Sequence, residues 1–193
     1  MPSPAQPDLV PGRVYRTHEF TRWGANPTRL AKRLLREGRL RRLAPGLFFA
    51  PQASRFGPTP PEEREVLRGF LETEDFIITG PPVWNALGLG TTGLFAATLV
   101  YNRKRSGEFL LGNLRFLLRR VRYPEKPVPE WFVIDLLEHP AMAGAELGRL
   151  EAALRKALSE DRFDRTRLQA MAGEYATLAT RQLVDRCLER STH

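Results

Sequence analysis

Four cations within eight residues, Arg29, Lys32, Arg33 and Arg36, are the groups of this chain best placed to do chemistry. That chemistry is recognition of a polyanion. At roughly 100° per residue, with Leu30 as zero, Leu34, Ala31 and Leu35 fall on one helical stripe and Lys32, Arg36, Arg29 and Arg33 on the opposite one. A helix built this way packs one face and offers the other to a DNA major groove, where Arg can bind guanine bidentately and Lys guanine or phosphate. Near its N-terminus Asn26, Thr28 and Arg29 can reach base edges or backbone, and the free N–H groups of the first turn suit a phosphate. Arg39, Arg41 and Arg42 follow directly and add backbone or minor-groove contacts.

Other candidates for chemistry are weaker. Gly88-Leu89-Gly90-Thr91-Thr92-Gly93 matches the glycine-rich dinucleotide fingerprint. The Rossmann version requires a strand before it and a helix after it, whereas here a helix-like Val83–Leu87 precedes and a strand-like Leu94–Tyr101 follows. A plain turn is expected, and a nucleotide-using enzyme acting through residues 88–93 stands as an alternative. His18, His139 and His193 lack metal-ligand spacing, so no metal, cofactor or catalytic residue is expected. Trp84 and Trp131 read as core. A second basic group, Arg103, Lys104, Arg105, Arg115, Arg119, Arg120 and Arg122, either extends a DNA footprint, docks an acidic partner or is a solvated hairpin face.

The elements that must position the basic helix are legible around it. Thr17 is expected to cap a short helix His18–Trp23, and Gly24-Ala25-Asn26 to make a tight turn in which Gly24 takes positive φ and Asn26 caps the next helix. Pro27 opens that helix and Gly38 stops it. Arg39–Leu43, the turn Ala44-Pro45-Gly46 and Leu47–Ala50 then read as a hairpin. Helix, turn, helix, hairpin is the order of a winged helix-turn-helix. Farther on, Glu62–Glu72 looks helical, Phe76–Thr79 extended, Pro81–Leu87 helical and Phe95–Tyr101 extended. Glu108–Leu111 pairs with Leu114–Arg119, Trp131–Leu136 is a strand or a helix start, and apolar spacings of three and four from Ala145 predict helices to the C-terminus.

The expected fold is therefore α+β: an N-terminal winged helix-turn-helix followed by a mixed α/β domain ending in helices. The expected boundaries are a disordered or extended tail over 1–14, the winged helix over 15–51, a Pro-rich linker over 52–61 and an α+β regulatory domain over 62–190.

Charge sharpens the case. Of 30 bases and 22 acids, 11 bases and 3 acids lie in residues 1–60, which leaves 19 of each for the rest of the chain. The whole excess of +8 sits in the first third, the footprint of a polyanion ligand rather than of general solubility. The single cysteine, Cys187, cannot form an internal disulfide, and no apolar run reaches the roughly 18 residues of a membrane span. A cytoplasmic protein with no membrane partner is expected.

The stretch Tyr15–Pro51, with its pattern R-L…L-L-R-E-G-R-L-R-R-L-A-P-G-L-F, resembles the winged-helix domain of AbiEi-type antitoxins, and Ile78–Leu89 is similar to the start of that family's second domain. The resemblance implies autoregulation of a toxin–antitoxin operon, neutralisation of a nucleotidyltransferase-like toxin and a setting in antiphage defence. By position it implies DNA contacts from Thr28, Arg29, Lys32, Arg33, Arg36, Arg41 and Arg42. The partners it points to are an operator in double-stranded DNA, probed as an inverted repeat by a homodimer, and the toxin. A stand-alone transcription regulator whose C-terminal domain senses a ligand is the other reading.

Overall fold

Capping chemistry on both sides of residues 27–36 fixes the first long element. Asn26 Oδ1 accepts the Arg29 N–H at 2.9 Å, Pro27 occupies the first helical position and Gly38, at φ +70°, ends the run, giving helix α1 (Pro27–Arg36). A 3-10 turn, Thr17–Trp23, precedes it. Thr17 begins that turn rather than capping it: Arg16 is the cap, and its N–H donates to Glu19 Oε2 at 2.7 Å. Gly24 sits at φ 171°, in extended backbone, so no positive φ is needed there.

The computed structural model describes residues 7–55 and 57–189. It is α+β and falls into two compact units, one comprising residues up to Glu74 with Phe109–Arg115, the other Asp75–Glu108 with the chain from Phe116 onward. In the first unit, strands β1 (Val14–Arg16), β2 (Arg41–Ala44) and β3 (Leu47–Phe49) form an antiparallel sheet in the order β1-β3-β2. Its register pairs Val14 with Phe49 and Arg41 with Phe49, with a bulge between Arg42 and Ala44. The hairpin turn needs Gly46 at φ +72°, and the Gly46 carbonyl accepts the Thr17 N–H at 3.1 Å, which ties the tip back to the 3-10 turn. Leu30, Ala31 and Leu34 of α1 pack with Tyr15, Phe20, Leu40 and Phe48. Phe20 is the hub of that core, its ring 5.8 Å from Phe48 and 6.0 Å from Trp23.

Two expectations are corrected here. Of the tail expected over 1–14, residues 1–6 lie outside the described residues, while Gly12 and Arg13 exchange backbone bonds with Ala50 and β1 begins at Val14. Val10 is fastened too, its N–H donating to the Tyr15 hydroxyl at 2.8 Å. The expected linker over 52–61 contains a hairpin, β4 (Gln52–Ser54) with β5 (Gly57–Thr59), in register Gln52 to Thr59. A two-stranded ribbon leaves one edge of each strand unpaired, so Pro58 does not forbid it.

Helix α2 (Glu63–Leu71) packs on β1 through Gly69. A Cβ at Gly69 would run into Val14, 2.9 Å from the Val14 Cβ. Glycine to alanine inside a helix ordinarily gains about 1 kcal/mol. Gly69→Ala is expected to do the reverse, losing about 1–3 kcal/mol through overpacking, read as a lower urea midpoint. Glu65 adds an acid-sensitive tie. Burial pushes its carboxyl up, but the Arg68 guanidinium, the Val14 N–H and the charges of Arg68 and Arg13 outweigh that and hold it below 4.5. Its contribution is complete above that value and is lost as pH falls through the lowered one.

The second unit carries most of a sheet ordered β6-β7-β9-β8, made of β6 (Phe76–Thr79), β7 (Thr98–Asn102), β8 (Gly107–Leu111) and β9 (Leu114–Arg120), with β6 antiparallel and β9 parallel to β7; the β8 and β9 residues within Phe109–Arg115 count with the first unit. The short helix α3 (Pro81–Ala86) follows β6. Residues 131–136, open between strand and helix in the sequence, are helix α4 (Pro129–Glu138), with Pro129 at its start. Seven of its ten residues are buried, so its apolar pattern runs all round and carries no period. Helices α5 (Leu147–Ser159), α6 (Arg165–Tyr175) and α7 (Leu178–Glu189) complete the unit around Trp84, Trp131, Ile134, Leu154 and Leu168. The strand expected from Phe95 begins only at Thr98, because residues 91–97 are irregular.

Candidate nucleic-acid interface

The buried stripe of α1 is Leu30, Ala31 and Leu34, at 8, 2 and 0% exposure. On the opposite side Thr28, Arg29, Lys32 and Arg36 are exposed. Ten residues make a helix of about 15 Å, and Thr28, Lys32 and Arg36 form a column along it with Arg29 beside them. Arg33 does not belong to this group. It lies nearer the Leu30 side, is half-buried, and its Nε stands 3.6 Å from Glu37 Oε1. Of the four cations expected to project, three are thus exposed, and Arg33 is partly covered and paired with the acid one turn later.

Asn26 is likewise committed in part, because its Oδ1 holds the Arg29 N–H and only its amide nitrogen remains to donate outward. Arg39 is turned inward: its Nη2 donates to the Pro7 carbonyl at 2.5 Å and the residue is half-buried. Arg41 and Arg42 are exposed on β2, on opposite faces because successive strand residues alternate. Arg13 and Arg16 serve the fold, Arg13 on Glu19 at 3.0 Å and Arg16 on the Gly69 and Phe70 carbonyls. What remains is selective. Among the described residues no carboxylate, carbonyl or ring partners the side chains of Arg29, Lys32, Arg36, Arg41 or Arg42. Arg22, which the sequence did not single out, lies exposed with its guanidinium 4.0 Å from the Trp23 ring centre.

The second basic group is dispersed. Arg103 is paired with Asp75 at 2.8 Å and covers the Tyr123 ring, and Arg122 stands 3.9 Å from Glu174. Arg119 and Arg120 are neighbours on β9 and so face opposite ways, while Arg115 belongs to the first unit. Lys104 and Arg105 donate their backbone N–H groups to Asn102 Oδ1, each at 2.8 Å.

No family model matches this chain, and no curated protein matches it. The fold does have a solved counterpart. It is similar to the crystal structure of the RV2827C protein from Mycobacterium tuberculosis, with a TM-score of 0.59 and 14% identity, over 94% of this chain and 73% of that one. At that identity the likeness is one of fold.

The second unit holds a constellation that the sequence did not reveal. Asp135, 5% exposed, accepts Trp84 Nε1 at 2.9 Å and the Thr79 hydroxyl on one oxygen, and the Tyr101 hydroxyl at 2.7 Å on the other. His139 stacks on Trp84, the rings 5.7 Å apart and 13° from parallel. Burial pushes the Asp135 carboxyl above its ordinary value, against the pull of those three donors, and the same burial with the adjacent carboxylate drives the Tyr101 phenol up. The available signal was a lone acid inside W-F-V-I-D-L-L.

The 88–93 loop follows a helix and leads into irregular chain. Two of its carbonyls are taken by side chains of this chain, Gly88 O accepting Arg162 Nη1 at 3.4 Å and Gly93 O accepting Asn85 Nδ2 at 3.1 Å. A Cβ at Gly93 would lie 2.7 Å from the Ala143 carbonyl carbon, so this glycine is needed for packing. Among the described residues no cluster of His, Cys, Asp and Glu is placed to hold a metal ion, and no helix is long and apolar enough to cross a membrane.

Proposed function

We propose that residues 15–51 form a winged helix-turn-helix that binds double-stranded DNA, and that the protein is an antitoxin-type repressor which autoregulates its operon and counteracts a nucleotidyltransferase-like toxin. The observation that carries the DNA reading is the sorting of cations: Arg13, Arg16 and Arg39 are tied into the fold and Arg33 is paired with Glu37 beside it, whereas Arg29, Lys32, Arg36, Arg41 and Arg42 on α1 and β2 are exposed and have no side-chain partner among the described residues. Beyond the single Arg33–Glu37 pair, α1 stacks Lys32 under Arg36, a like-charge i,i+4 pair costing a few tenths of a kcal/mol. Cations held apart at a cost to the helix suit a phosphate backbone. The antitoxin part rests on the resemblance of Tyr15–Pro51 and Ile78–Leu89. One small module gives a short site, so two copies on an inverted repeat supply the affinity.

The test has two arms. The protein should shift a duplex from upstream of its own gene in preference to a scrambled duplex at physiological salt, and its co-expression with the adjacent gene should rescue growth. Equal binding to both duplexes removes the repressor, and growth arrest without rescue removes the antitoxin.

A further inference from the structure

A cleft of about 220 Å³ opens in the second unit beside the Asp135 constellation. It is smaller than the roughly 300 Å³ at which drug-sized sites begin and holds about seven waters, which suits one ring with a small substituent. Trp131, Tyr101 and Tyr175 contribute aromatic lining, the first two edge to face at 6.1 Å.

Hydrogen-bonding capacity around the cleft is unevenly spent. Its two carboxylates are engaged: Asp135 receives three donors, and Glu138 Oε1 accepts the Thr177 N–H at 2.7 Å and its hydroxyl at 3.0 Å. Its two arginines are far less so. Among the described residues no carboxylate, carbonyl or ring accepts the Arg119 guanidinium, and Arg122 meets only Glu174, at 3.9 Å with 82% of its side chain exposed. Donors left over beside aromatic walls call for a flat apolar body carrying an oxyanion, and a planar guanidinium matches a carboxylate two bonds at a time.

We propose that this cleft binds a small aromatic carboxylate, its ring against Trp131 and Tyr175 and its carboxylate on Arg119 and Arg122. The site goes beyond the DNA reading and does not depend on it, since every residue involved lies in the second unit.

Benzoate titrated into the full-length protein, followed by calorimetry and by tryptophan fluorescence, is the direct probe. One saturable site is expected, with a Kd of about 1 mM or tighter, as befits a ligand of this size. Arg119→Ala and Arg122→Ala should each weaken it about tenfold, the worth of a charge-assisted bond, while Arg120→Ala, on the other face of β9, should leave it unchanged. Cyclohexanecarboxylate should bind several-fold more weakly, and acetate and inorganic phosphate should fail to displace benzoate. Because Arg122 is exposed, its variant stands even if Arg119→Ala does not fold. The proposal is overturned by the absence of saturation up to about 10 mM, by affinity unchanged in Arg122→Ala, or by displacement with acetate or phosphate at comparable concentration.

Discussion

Lys32→Glu should lower duplex affinity by more than about 100-fold near 0.1 M salt without lowering the melting temperature. Lys32 stands in the middle of the exposed column of α1, one turn from Thr28 and one from Arg36. Reversing its charge removes one cation from the phosphate field and sets a carboxylate against the same phosphates, so the loss exceeds the roughly 1–3 kcal/mol of a single good base or phosphate contact. Within the free protein the change acts the other way. A like-charge pair with Arg36 becomes a Glu-to-Arg pair at i,i+4 in its favourable orientation, worth about 0.2–0.5 kcal/mol. Binding lost with stability kept or slightly raised is a signature that a packing role cannot imitate. The milder Lys32→Ala should also flatten the dependence of log K on log salt by about 0.9 if this residue meets one phosphate. Arg33→Ala, by contrast, should cost much less affinity, because Arg33 is half-buried beside Glu37.

Asp135→Ala should destabilise the second unit by about 3–5 kcal/mol in urea unfolding. The substitution leaves the Trp84 N–H and the Thr79 and Tyr101 hydroxyls without their acceptor in a largely buried site, and each orphaned donor costs about 1–3 kcal/mol. Tyr101→Phe removes only one donor and should cost about 1 kcal/mol. The comparison separates loss of the hub from loss of a spoke. The pH dependence has a definite sign. Since burial holds the folded Asp135 carboxyl above 3.8, its contribution is complete below that value and declines as pH rises through the raised one. In Asp135→Asn that decline disappears, so the stability of the wild type relative to this variant should fall with rising pH across that window. The measurement is a series of urea midpoints.

Elements with local punctuation could be read from the sequence. Asn26-Pro27 and Gly38 bracket α1 in one stretch of chain, and Ala44-Pro45-Gly46 marks the β2–β3 turn. Elements defined by distant partners could not. Strand β1 is three residues long, too short to alternate, and exists because Phe49 lies across from Val14. Helix α4 is apolar all round, so its period is silent. The candidate site shows the same division. Residue type places Arg29, Arg33, Arg36 and Arg39 in one class, and only their neighbours separate them. Glu37 four residues after Arg33 was a signal in plain view. The Pro7 carbonyl that holds Arg39 lies 32 residues away in sequence and was not. Likewise, the ligands of Asp135 come from three separate segments, up to 56 residues distant, that only the sheet brings together.

The central claim is that the exposed side of α1 meets DNA, and amide chemical-shift mapping of the full-length protein against a duplex from upstream of its own gene tests it most directly. Shifts concentrated in residues 26–36 and at Arg41 and Arg42, absent in Lys32→Glu, are the expected result. Shifts confined to residues 103–122, or an unchanged spectrum at low salt, would contradict it.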